Sequence, residues 1–149
     1  MMLSTVCIDS AATEQFGGKL GQNLRGGEII ELISDLGGGK TTLARGIVRG
    51  AGSTDLVSSP TFTLSNVYKT PKFQIYHFDF YRLKEPGLME HELHGVLEDP
   101  EAVIIIEWGS VLRHILSAKR MTISLHKISD DSRELTCSYP DKLAYLVAE

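Results

Sequence analysis

The sequence predicts an α/β fold: three layers, with a mostly parallel central sheet and antiparallel additions. Three observations predict it. Apolar, β-branched runs at Glu28–Ile33 and Val103–Ile106 read as strands covered on both faces. Stretches with apolar residues at helical spacing alternate with such runs, as crossover-connected parallel strands require. Two further pairs of strand-like runs flank short turn sequences and read as antiparallel hairpins. The chain of 149 residues has the size of one domain, spanning 1–149, and no repeat, low-complexity tract or linker-like shift divides it.

Each element follows in order. Leu3–Asp9 alternates, with Leu3, Thr5 and Cys7 on one face and Val6 and Ile8 on the other, which predicts a short strand. Ser10 is placed to cap a helix over Ala11–Leu24 carrying Phe16, Leu20 and Leu24 on one side. Arg25-Gly26-Gly27 turns the chain into the strand Glu28–Ile33. A helix from Lys40 to Gly50 follows Gly37-Gly38-Gly39, with Leu43, Ala44, Ile47, Val48 and Ala51 as its inner stripe. Phe62–Tyr68 and Phe73–Phe78 form a hairpin about Lys69–Lys72. Pro86 suits the first turn of a short helix and Gly95 its C-terminal cap. After the strand Val103–Ile106, a helix is expected around Ser110–Ala118. Met121–Ile128 and Arg133–Tyr139 form the second hairpin, about Ser129–Ser132, and the chain from Asp141 reads as helical.

Composition removes several classes. With 42% hydrophobic residues and a net charge of −4, disorder is not expected. The 15 basic and 19 acidic residues argue against a protein that grips nucleic acid strongly through its own surface. No apolar stretch is long enough for a membrane span, and Met1–Asp9 does not read as a secretory signal. Cys7 and Cys137 have no CxxC spacing, as expected of incidental thiols in a reducing cytoplasm.

The chemistry concentrates at Ser34-Asp35-Leu36-Gly37-Gly38-Gly39-Lys40-Thr41-Thr42, between a strand-like and a helix-like run. This is the context of a phosphate-binding P-loop and predicts a P-loop NTPase-like fold. Glycines let backbone N–H groups approach phosphates, and the following helix N-terminus favours an anion. Lys40 would neutralise the β- and γ-phosphates, and Thr41 would offer its hydroxyl to Mg²⁺. Ser34 stands where the pattern wants glycine. A serine there either occupies a disfavoured backbone region, at a cost of about 1–3 kcal/mol, or the turn relaxes. Gly17-Gly18-Lys19 is a decoy, because no hydroxyl residue follows it inside its helix.

Such a loop needs a carboxylate at a neighbouring strand end. Asp79 and Glu107 both qualify, and either could hold the metal or orient water. Thr61, after Pro60, lies where P-loop proteins carry a threonine that senses the γ-phosphate. His91 and His94 have the wrong spacing for a helical zinc pair and lack a third ligand. The acidic run from Glu85 to Glu101 reads as a solvated face or a docking patch for a basic partner.

With these residues in place, the chain resembles the TsaE (YjeE) family. Ser34–Thr42 is similar to GDLGAGKTT, departing at Ser34 and carrying an Ala/Gly swap inside. Ser59–Phe62 matches SPTF, His77–Leu83 matches HFDxYRL, and Ile106-Glu107-Trp108 matches IEW. The resemblance implies a small bacterial ATPase that serves, with TsaB and TsaD proteins, to make threonylcarbamoyladenosine in tRNA. It implies ATP phosphates on Asp35 to Thr42 and Mg²⁺ held by Thr41 and Glu107, with Asp79 as the Walker B acid near the metal. Thr61 would belong to a switch-like segment. Tyr81, Arg82 and Trp108 would lie in the site region, with Arg82 an internal candidate for an arginine finger. Thr13 and Arg133 would flank the adenine end. Two other readings stay open: a small-molecule kinase, which would need a second pocket and an arginine-rich lid, and a nucleotide-dependent binding module with incidental hydrolysis.

Overall fold

The structure, a computed structural model, describes residues 1–35, 37–60, 65–81, 86–108, 114–116 and 118–149; the side chains of residues 86 and 88 are not among those described. In chain order the elements are β1 (Met2–Cys7), α1 (Ser10–Asn23), β2 (Ile29–Ile33), α2 (Lys40–Gly50), β3 (Ser65–Lys69), β4 (Gln74–Asp79), α3 (Pro86–Leu97), β5 (Val103–Glu107), β6 (Met121–Lys127), β7 (Arg133–Ser138) and a 3₁₀ helix over Asp141–Val147. The strands form one sheet in the order β1-β7-β6-β2-β5-β4-β3. The inner four, β6, β2, β5 and β4, are parallel. Antiparallel β7 and β1 extend one side and β3 the other.

The expected three layers are present. Val103 and Ile105 of β5 face a core shared with Leu20 of α1 and Leu43 and Ile47 of α2. Ile104 and Ile106 face a second core with Met89 and Leu93 of α3. All five β5 residues are buried, as its unbroken apolar run predicts. Burying each such Ile contributes about 1.5–3 kcal/mol of transfer free energy.

Helices α1 and α2 meet along glycines. A methyl on Gly17 would collide with the backbone of Leu43, on Gly21 with Ile47, on Gly46 with Glu14 and on Gly50 with Gly18. Gly17 therefore belongs to a helix–helix seam, and the Arg49–Glu14 ion pair at 2.6 Å lies across the same two helices. At the start of β2, buried Glu28 accepts hydrogen bonds from the N–H of Arg25 at 2.7 Å, the N–H of Gly26 at 2.8 Å and the hydroxyl of Tyr145 at 2.6 Å. This ties the turn to the C-terminal 3₁₀ helix, and the Arg25 guanidinium covers the Tyr145 ring at 3.9 Å.

Some expectations are corrected. The cap of α1 is Asp9, not Ser10: its carboxylate accepts from Ala12 N at 2.8 Å. Asp9 has the longer, charged acceptor, and Ser10 enters the first turn. Gly95 does not cap α3, which continues to Leu97, because a glycine at an exposed position does not by itself stop a helix. Of the helix expected over Ser110–Ala118, residues 110–113 and 117 lie outside the described residues, while 114–116 and 118 form turn and bend. Residues 62–64 of the first hairpin also lie outside them.

Candidate functional site

The site forms at the carboxyl ends of β2, β4 and β5, where open parallel sheets place ligand crevices. β2 delivers the loop 34–39, and α2 begins at Lys40. Gly37 and Gly39 have φ of +74° and +97°, so both positions need glycine. Gly39 caps α2 without a side chain, which leaves the helix N-terminus facing the cavity. Ser34 follows the relaxed course, since Trp108 alone among the described non-glycine residues has positive φ. Its hydroxyl donates to Asp35 O at 2.9 Å.

Lys40 is 7% exposed. Its ammonium donates to Ser34 O and Oγ, both at 3.2 Å, and to Asp35 O at 3.4 Å. Burial pulls its pKa below the usual lysine range, while Glu107, Asp79 and Asp35 pull the other way. The ammonium also sits 4.6 Å from the centre of the Trp108 ring, within cation–π range. Trp108 holds this place from a φ of +58°, a strained region for a bulky residue. The Tyr81 ring packs against it at 4.9 Å.

The two acids meet by register: Asp79 of β4 lies opposite Glu107 of β5, so their side chains share a face. Asp79 Oδ1 accepts from Tyr81 N at 2.9 Å. Glu107, 2% exposed, bonds His77 Nε2 through Oε2 at 2.6 Å. A cavity of about 270 Å³ is lined by Gly37, Gly38, Gly39, Lys40, Thr41, Thr42, Ser59, Asp79, Glu107 and Trp108. The fold thus joins the glycine loop, the lysine, the threonine and both carboxylates in one space.

Other expected residues stand further back. Asp35, Tyr81, Thr13 and Arg133 are not among the lining residues. Arg133 Nε donates to Gly38 O at 3.0 Å, and its Nη1 donates to the carbonyls of Ser129, Asp130 and Ser132. It therefore braces the loop from the β6–β7 turn. Thr13 is buried on α1, its hydroxyl donating to Asp9 O at 3.3 Å. Leu36, Thr61 and Arg82 lie outside the described residues. Ser59 and His77 entered from sequence only as members of the SPTF and HFDxYRL matches, with no role of their own. The signal for His77 was its spacing of two from Asp79, which puts both on one face of a strand.

The donors suit Mg²⁺. Thr41, Asp79 and Glu107 offer hard oxygens beside the glycine loop. No group of three or more His, Cys, Asp or Glu side chains gathers among the described residues. A partial oxygen set next to phosphates is how Mg²⁺ is commonly bound.

Comparison with known proteins agrees with this geometry. Residues 7–135 match the model of the family described as "TsaE: Threonylcarbamoyl adenosine biosynthesis protein TsaE". The chain is 39% identical over 132 residues to the tRNA threonylcarbamoyladenosine biosynthesis protein TsaE of Rickettsia prowazekii, covering 85% of this chain and 86% of that one. It is 44% identical over 112 residues to the protein of the same name from Synechocystis, covering 73% and 71%. The crystal structure of Bacillus subtilis YdiB superposes with a TM-score of 0.80 at 26% identity, over 98% of this chain and 91% of that one. A glycine loop, a buried lysine and two strand-end acids arranged on this sheet, within a match that covers most of the sequence, identify the chain as belonging to the TsaE family.

Proposed function

We propose that this chain is a cytoplasmic ATPase that binds ATP with Mg²⁺ and serves tRNA threonylcarbamoyladenosine modification by acting on a complex of TsaB- and TsaD-type proteins. The observation that carries the proposal is the single cavity joining Gly37–Thr42, Asp79 and Glu107. The relatives' names supply the pathway.

In this reading the N–H groups of residues 37 to 42 cradle the phosphates at the α2 N-terminus. Lys40, already desolvated, offers a fixed positive charge to the γ-phosphate without reorganising in the transition state. Thr41, Glu107 and Asp79 are the residues that would hold the metal. Mg²⁺, when bound, supplies positive charge at the β- and γ-phosphate oxygens. One of the two carboxylates orients the attacking water. Catalysis is then positioning plus electrostatics, without a covalent intermediate.

Turnover by the isolated chain is slow in this proposal, with a group that speeds phosphoryl transfer supplied by a partner. The partners complete the site, and the net charge of −4 leaves the gripping of tRNA to them. Phosphate release from ATP, measured with and without TsaB- and TsaD-type proteins, tests this. Slow release that the partners accelerate supports it. ATP binding with no release under either condition identifies a binding module instead. A phosphorylated small product formed without partners identifies a kinase.

A further inference from the structure

His77 is fully buried in β4, on the face that carries Asp79. Its Nε2 meets Glu107 Oε2 at 2.6 Å, and its Nδ1, also buried, has no hydrogen-bond partner among the described residues. The Tyr68 ring lies 6.2 Å away on the neighbouring strand β3. A ring that served packing alone would gain nothing from this arrangement. An orphaned buried polar atom costs about 1–3 kcal/mol, and an apolar side chain of similar volume would avoid it.

The pattern also fixes the direction of the bond. A carboxylate only accepts, so Nε2 carries the proton and donates. His77 is thus a one-directional clamp on one oxygen of a buried acid that lines the cavity.

We infer that His77 is a positioning residue for the metal: by holding Glu107 Oε2 it sets the carboxylate's rotation and leaves Oε1 as the oxygen presented to the cation. This rests on the proposed reading of the cavity as an ATP and Mg²⁺ site. It adds a residue that touches neither nucleotide nor metal. Groups that orient metal ligands typically alter metal affinity by about 10–100-fold when removed.

The test compares ATP binding by calorimetry in excess Mg²⁺ and in EDTA, for the whole chain and its variants. Kd in EDTA divided by Kd in Mg²⁺ reads the metal's share of binding. His77→Leu removes the donor and keeps the volume. It is expected to lower that ratio by about 10–100-fold while leaving Kd in EDTA unchanged. His77→Gln restores a donor at similar reach and is expected to recover most of the ratio. His77→Asn is polar but too short, and is expected to behave like His77→Leu. Should the leucine variant fail to fold by circular dichroism, the glutamine and asparagine variants carry the comparison. Equal ratios for wild type and the folded variants, or for glutamine and asparagine, overturn the inference. A wild-type chain that binds no ATP, or binds it without regard to Mg²⁺, overturns instead the reading of the cavity itself.

Discussion

Glu28 and Glu107 are both buried carboxylates, and they lie at opposite ends of adjacent parallel strands. Glu28, at 4% exposure, accepts two backbone N–H groups and the Tyr145 hydroxyl. Its acceptor capacity is taken up by the fold. Glu107 is held by one imidazole and otherwise lines a cavity beside Lys40 and Asp79. A carboxylate whose lone pairs are consumed by the fold is structural. One whose fold partner takes only one oxygen has coordination to offer. Burial alone does not separate the two; the partner list does.

The largest effect expected is on the saturated acid. Glu28→Ala strands two turn amides and the Tyr145 hydroxyl, and is expected to cost about 3 kcal/mol in denaturant unfolding with ATP affinity unchanged. Next comes the other acid. Glu107→Gln is expected to lower ATP turnover by about 10²-fold or more, with unfolding free energy held or raised, as phosphate-release assays and melts will show. If both variants lost stability alike, the contrast between the acids would fail.

Lys40→Ala is expected to weaken ATP binding by about 2 kcal/mol, roughly 30-fold, without a loss of stability, since an already desolvated charge is removed. Calorimetry checks it. A subtler test concerns the loop's two departures from the GDLGAGKTT pattern. A methyl on Gly38 would collide with Ser34 Oγ and Cβ, so serine at 34 and glycine at 38 are complementary. Gly38→Ala alone is expected to cost about 1–3 kcal/mol of stability. Adding Ser34→Gly relieves both of those contacts but leaves the methyl 2.9 Å from Asp35 O, and is expected to recover part of the loss. Ser34→Gly alone removes one of three Lys40 contacts and is expected to change affinity by at most about 1 kcal/mol.

The smallest effect at neutral pH belongs to the structural side. Burial, with Cys7 adding to it, pushes the Cys137 thiol up to about 12. An unfolded thiol ionises near its ordinary value of about 8.5, so above that pH the unfolded chain sheds a proton the folded one keeps. Stability should therefore be level through neutrality and fall between about pH 9 and 12. Burial and the Glu28 bond raise Tyr145 in the same sense. Melts of Cys137→Val against pH should show a shallower decline.

The loop, the lysine and the two acids were legible because each is a local pattern: glycines before a helix, or an acid ending an apolar run. The strands were legible from their period and β-branching. The missed features are relations between distant segments. Gly17 and Gly21 acquire meaning only against Gly46 and Gly50, since a close helix contact is a property of two surfaces. His77 acquires its role only once β4 and β5 are neighbours in a register that pairs Asp79 with Glu107. The α1 cap went to Asp9 because Asp9 and Ser10 are both good caps and only geometry chooses between them.

The glycine seam has a mechanical consequence. Side chains between helices act as bearings: they swap rotamers and let one helix roll or slide on another. Between α1 and α2 the carbonyls and Cα atoms themselves are in contact, so that bearing is missing. The glycine loop is thus bolted at its helical end, and Arg133 braces it at Gly38. Under the proposed function, any displacement that accompanies exchange of one nucleotide for another would be taken up across the cavity, on the side of Asp79, Glu107 and Trp108. In a machine with one fixed jaw, the stroke belongs to the other.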